Sequence, residues 1–221
     1  DLICIDEAHH AAAASYRQIL EAWPNARRLG LSATPDRFDR ASLRCFDSAT
    51  TPYRLLDAIA DGYLVPFKAK RIRVEAVDIS GVGVVAGDLN QGQLELVISS
   101  EKALHGIARG LIEQSGERPT IGFVPGIDSA RRLCEILHRY RTGCARYVTG
   151  TTDPDLTRMA FRSFGTDYQY LINVAVATEG TDLPAAACIA MCRPTKSRGL
   201  FVQMLGRGSR PEPGLEGDTP D

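Results

Sequence analysis

The 221 residues carry 26 Lys and Arg against 27 Asp and Glu, a formal net charge of −1, and 44% of them are hydrophobic. This composition supplies one large or two modest cores and excludes a disordered chain; it also excludes an overall positive field, so any nucleic-acid contact has to come from a local groove. No apolar run approaches a membrane span, no signal sequence opens the chain, and the six cysteines form no CxxC pair, which leads to the expectation of a cytoplasmic protein with reduced thiols.

The chain opens on LICI at 2–5, a short apolar run that ends abruptly in Asp6, Glu7, Ala8 and His9. This is the pattern of a buried strand that presents carboxylates at its C-terminal edge, where ligands bind in open α/β sheets. Two adjacent carboxylates there suit phosphate chemistry, with Asp6 holding Mg²⁺ and Glu7 activating a water; taken alone, the same residues also suit an acidic helix cap. A helix is expected over 11–22, with Tyr16, Ile19, Leu20 and Trp23 on one face, stopped by Pro24. A second buried strand over 28–32 runs into Ser32, Ala33, Thr34 and Pro35. A strand-helix-strand unit puts both polar loops on one edge of the sheet. Thr51 and Pro52 look like the start of a helix bearing Leu55, Leu56 and Ile59 on one face, and 67–77 alternates apolar and basic residues as a half-exposed strand would. From 78 to 93 glycine accumulates and periodicity fades, so an inter-domain connection is placed there; its GVGVVAG lacks the GxGxxG spacing.

The second half repeats an α/β rhythm. A helix is expected over 94–113, then a strand over 120–124, then a helix capped by Asp128 that carries Ala130, Leu133, Cys134 and Leu137. A strand over 145–148 ends in Thr149, Gly150, Thr151 and Thr152, and Asp153 with Pro154 opens the next helix. Strands over 170–176 and 186–192 follow. The last helix begins near Arg198, and a Pro, Gly and acid-rich tail over 211–221 is expected to be disordered.

DEAH at 6–9, SAT at 32–34, ATEGTD at 177–182 and QMLGRGSR at 203–210 resemble motifs II, III, V and VI of superfamily 2 helicases, in order and in spacing. IGFVPGIDSARRL at 121–133 is similar to motif IV, and LSATPDR with DGYLVP resembles the RadD-type repair and restriction-helicase groups of bacteria and phages. The resemblance implies tandem RecA-like parallel-sheet domains, the first truncated at its N-terminus: 1–77, a linker 78–100, a second domain 101–210, and a tail. It implies an ATP-dependent helicase or translocase using ATP and Mg²⁺ on DNA, with an RNA helicase, a nuclease-associated motor subunit and a degenerate binding module as alternatives.

The same resemblance assigns roles residue by residue. Arg207 and Arg210, three apart, become arginine-finger candidates, with Gln203 and Gly206 beside them at the nucleotide. Gly206 and Gly208 are costly in a helix and point to a close backbone approach. Gly180 and Asp182 contact the nucleotide or transmit its state, although Asp182 also suits a simple turn before Leu183 and Pro184. Thr178 faces the nucleic-acid backbone, as do Gly150 and Thr151, where a plain polar loop is an equal reading. His9, Ser32, Ala33 and Thr34 couple the acidic loop to the second domain, and an ordinary hydroxyl-rich turn remains open for 32–34. Thr181 departs from the family, being polar where an apolar residue is usual. No GxxxxGK[ST] occurs anywhere in the sequence, so the phosphate loop is expected upstream of Asp1, and these residues alone are expected neither to bind ATP tightly nor to hydrolyse it.

Overall fold

The structure is a computed structural model that describes residues 1–6, 8, 11, 13–32, 45–48, 53–174 and 186–209. Contacts divide the chain into two compact units, 1–57 and 58–221.

In the first unit β1 (Leu2–Ile5) and β2 (Arg27–Gly30) pair in parallel across α1 (Ala14–Ala22). The register runs from Leu2 opposite Arg27 to Ile5 opposite Gly30. Side chains alternate across a strand, so Ile3 and Ile5 face a small core with Leu20, Ala8 and Ala11, while Leu2 and Cys4 point the other way. The sequence reads β1 as buried on both faces. Among the described residues only one face is covered: Ile5 is 4% exposed and Leu2 64%. Ile19 and Trp23, expected on the buried face of α1, are exposed as well. Gly30 is required by packing, since a Cβ there would lie 2.5 Å from the Phe46 ring and 2.8 Å from Ala8 Cβ. The short α2 (Leu55–Ala60) follows; Ala58, and not Leu56, is its buried residue.

The second unit is a four-stranded, fully parallel sheet in the order β6-β7-β5-β8, from β5 (Thr120–Phe123), β6 (Ala145–Thr149), β7 (Tyr170–Val174) and β8 (Cys188–Met191). Both faces are covered, which is why β5 and β7 read as continuous apolar runs. One core joins α3 (Gln91–Ile98), α4 (Glu101–Ser115) and α5 (Ile127–Tyr140) to the sheet; the other joins α6 (Pro154–Ser163) and α7 (Arg198–Gly206) to the opposite face. Ala130, Leu133, Cys134 and Leu137 of α5 are all buried, as their spacing predicts. Asp153 caps α6 by accepting from the amides of Asp155 and Leu156, with Pro154 in the first turn. Asp128 does not cap α5. Gly126 holds that position, and Asp128 pairs with Arg131 at 2.8 Å.

Three stretches differ more from expectation. Residues 67–77 form no strand; Val74 and Ile72 instead pack over Gly106 and Gly110 of α4, so the apolar alternation serves side-chain docking without ladder bonds. The helix expected over 94–113 is two helices, broken at Ser99 and Ser100. Residues 78–100, expected to be a connection, hold a hairpin of β3 (Val84–Val85) and β4 (Asp88–Leu89), then α3, whose Leu94 and Ile98 are 1% and 2% exposed. Ala86 and Gly87, both at positive φ, make the tight turn that the glycine-rich run encodes.

Candidate active site

The first unit places Asp6 at the end of β1 and Ser32 two residues beyond β2. Leu31 N–H donates to the Ile5 carbonyl at 2.9 Å, and Ala8 N–H donates to the Leu31 carbonyl at 2.8 Å. These two bonds continue the pairing one residue past the strands and hold Leu31 between Ile5 and Ala8. Asp6 is exposed and Ser32 half-buried. Glu7, His9, Ala33 and Thr34 lie outside the described residues. An exposed carboxylate at a strand end fits Mg²⁺, which takes one or two protein carboxylates and leaves its remaining positions to phosphates and water. Among the described residues no group of three His, Cys, Asp or Glu side chains forms a dedicated metal cage.

In the four-stranded sheet of the second unit all strands are parallel, so the C-terminal ends of β5, β6, β7 and β8 lie along one edge. After β6 the hydroxyls of Thr149 and Thr151 lie 3.0 Å apart, and Thr152 Oγ1 accepts from Thr149 N–H at 2.9 Å. The turn therefore closes on itself, with Gly150 and Thr151 exposed at its tip. A groove of about 380 Å³ beside it is lined by Thr149, Gly150, Thr157, Arg158 and Phe161. Thr178, Gly180 and Asp182 lie outside the described residues, as does Arg210.

On α7, Gln203 is half-buried and Gly206 is the last helical residue; Arg207 is the C-cap, half-buried. The helix ends at Gly206, one residue before Arg207. The two glycines also differ. A Cβ on Gly208 would lie 2.5 Å from Ile189 Cγ1 of β8, whereas one on Gly206 would meet nothing within 4 Å. Close approach explains the first and leaves the second without a packing reason.

A cluster that the sequence reading missed lies at the same edge. Asp88 accepts from the Lys196 amide at 2.7 Å and from the Thr195 hydroxyl at 2.9 Å, and faces the Arg193 guanidinium at 3.6 Å. Partial burial by itself would raise the Asp88 carboxyl, but the Lys196 and Leu89 amides, the Thr195 hydroxyl and the Arg193 charge together bring it below the usual 3.8. Glu95 of α3 accepts from Ser129 N–H at 2.8 Å and from its hydroxyl at 2.7 Å, at the start of α5. Asn90, with Gln93 three residues on, is an N-terminal helix signature that could have revealed α3.

The fold is a RecA-like α/β arrangement, a parallel sheet with helices on both faces. The model described as "Helicase conserved C-terminal domain" matches residues 102–212, half of the chain, and the chain belongs to that helicase family. Residues 1–37 match the model described as "Type III restriction enzyme, res subunit". A Saccharomyces cerevisiae protein assigned by name to the ATP-dependent helicases, IRC3, is 33% identical over 226 residues, which is 95% of this chain and 32% of that protein. The chain therefore spans about a third of that relative. Among solved structures, a fragment from Vibrio vulnificus YJ016 assigned by name to the HsdR subunit of a type I restriction enzyme has a TM-score of 0.74 at 22% identity, over 99% of this chain and 42% of that one. The restriction-modification enzyme LlaBIII bound to DNA (TM-score 0.57, 18% identity, 98% of this chain and 17% of that one) and Saccharomyces cerevisiae Dbp5 bound to RNA and ADP BeF3 (0.56, 14%, 94% and 49%) share the fold. The resemblance to superfamily 2 helicases that the motifs carry stands on these matches.

Proposed function

We propose that this chain is part of an ATP-driven helicase or translocase that moves along DNA. The observation that carries the reading is the pair of backbone bonds, Leu31 to Ile5 and Ala8 to Leu31, that holds Leu31 alongside the end of β1, so that Asp6 and Ser32 both leave the C-terminal edge of a parallel strand pair. Asp6 supplies an oxygen ligand to Mg²⁺, and the bound ion neutralises charge on the nucleotide phosphates. Glu7 takes the proton of the attacking water. Arg207 and Arg210 supply positive charge to the transferring phosphoryl group, where positioned charge matters more than covalent chemistry. Gly180, Asp182, Gln203 and Gly206 hold the nucleotide, His9, Ser32, Ala33 and Thr34 relay its state, and Thr178, Gly150 and Thr151 contact the nucleic-acid backbone. DNA is favoured over RNA by the restriction-enzyme model that matches residues 1–37.

In the full-length protein, Glu7→Gln is expected to reduce steady-state ATP turnover at least a hundredfold while leaving ATP binding within about twofold of wild type. Unchanged turnover removes Glu7 from this role. Single-stranded DNA is expected to stimulate turnover more than RNA of the same length, and the reverse order makes the substrate RNA.

A further inference from the structure

The last helix carries Arg207 at one end, and what fixes its other end comes from a distant part of the chain. Ser197 caps α7, its hydroxyl accepting from Leu200 N–H at 3.3 Å. Ser197 N–H in turn donates to Thr195 Oγ1 at 3.0 Å, and the Thr195 hydroxyl donates to Asp88 Oδ2 at 2.9 Å. The other Asp88 oxygen accepts from Lys196 N–H at 2.7 Å. One carboxylate therefore holds two consecutive residues of the turn between β8 and α7 and, through Thr195, reaches the cap residue Ser197.

Asp88 is itself held in place. It pairs with Val85 across the tight hairpin turn and bonds the next amide, Leu89 N–H, at 2.8 Å. Behind it Asn90 caps α3, and α3 is fixed to the turn after β5 by Gln91 Nε2 donating to the Pro125 carbonyl at 2.7 Å and by Glu95 on Ser129. Since β5 and β8 are neighbours, the hairpin and α3 together span the turns that leave both strands.

We infer that Asp88 is a positioning residue for the hydrolytic site: through Thr195 and Lys196 it sets the N-terminus of α7 and so the placement of Arg207 ten residues further on. At about 1.5 Å per residue that is roughly 15 Å of rigid helix, along which a shift at the cap is carried to the guanidinium. Displacements of about an ångström at a catalytic group cost on the order of a hundredfold in rate. The inference rests on the assignment of Arg207 to phosphoryl transfer proposed above.

The test is ATP hydrolysis by the full-length protein with Asp88→Ala, Thr195→Val, Arg207→Ala and the double variant Asp88→Ala/Arg207→Ala. Asp88→Ala is expected to lower kcat at least tenfold with KM for ATP within about twofold of wild type, and Thr195→Val to lower it less. In the Arg207→Ala background, Asp88→Ala is expected to cost no further kcat, because its effect passes through the arginine. A full and multiplicative loss in that background, or wild-type kcat in both Asp88→Ala and Thr195→Val while Arg207→Ala is slow, overturns the inference. Thr195→Val keeps the carboxylate and Arg193 pairing, so the question is answered even if Asp88→Ala does not fold. Wild-type turnover in Arg207→Ala itself is a different failure, that of the catalytic assignment.

Discussion

A methyl group on Gly208 would press on Ile189 of β8 at its Cγ1 methylene, one bond from the β-branch, so relief needs a change of the stiff χ1 and not a swing of the chain end. Gly208→Ala is therefore expected to destabilise the second unit by about 1–3 kcal/mol, measured by denaturant unfolding of the purified chain. The equivalent change at Gly206 lies in open space and serves as the matched comparison, with an alanine there expected to be neutral or slightly favourable to α7. Equal midpoints for the two variants would remove the packing account of Gly208. The sequence makes these two glycines indistinguishable, since spacing along the chain does not say which one faces a neighbouring strand. Asp88 was illegible for a related reason: its partners Thr195 and Lys196 are 107 and 108 residues away, and a lone acid in a glycine-rich run carries no sign of them. Asp6 and Ser32 were legible because their placement follows from local rules, a strand ending in a carboxylate and a parallel partner ending in a hydroxyl.

Elements with both a periodic face and a cap were read most closely. For α6, the Asp153 carboxylate meets two otherwise unsatisfied amides, and Pro154 fixes the first turn. Asp153→Ala is expected to cost about 1 kcal/mol, whereas Asp155→Ala in the same turn should cost a few tenths, both read from thermal or denaturant midpoints. Equal costs would mean that charge near the helix terminus, and not the cap itself, matters there. The central strands β5 and β7 were legible as apolar runs, because a strand covered on both faces leaves no alternation to misread. The stretch 67–77 shows the opposite case. Its alternation is real, but it reports side chains laid on Gly106 and Gly110, and no sequence pattern distinguishes that from pairing with a strand. In α3 the apolar residues crowd the second half of a short helix, and tertiary burial of Leu94 and Ile98 supplies what local propensity does not.

For the molecule as a whole, a net charge of −1 means that nucleic-acid affinity cannot come from bulk attraction. If contacts run through backbone phosphates, binding of the full-length protein to single-stranded DNA should weaken linearly in a plot of log affinity against log salt, and should differ little between base sequences. Affinity that is flat in salt, or that changes strongly with base order, would place recognition on the bases. The parallel sheet was visible from the sequence, while the bracing of its C-terminal edge by a hairpin and a helix was not.

That brace bears on how the protein can be dissected. A recombinant piece starting at residue 101 would keep every strand of the four-stranded sheet, yet it would shed Leu94 and Ile98 from the hydrophobic interior and Glu95 from the beginning of α5. Primers for an autonomous second half belong upstream of the hairpin and ahead of α2, the helix in which the contacts divide.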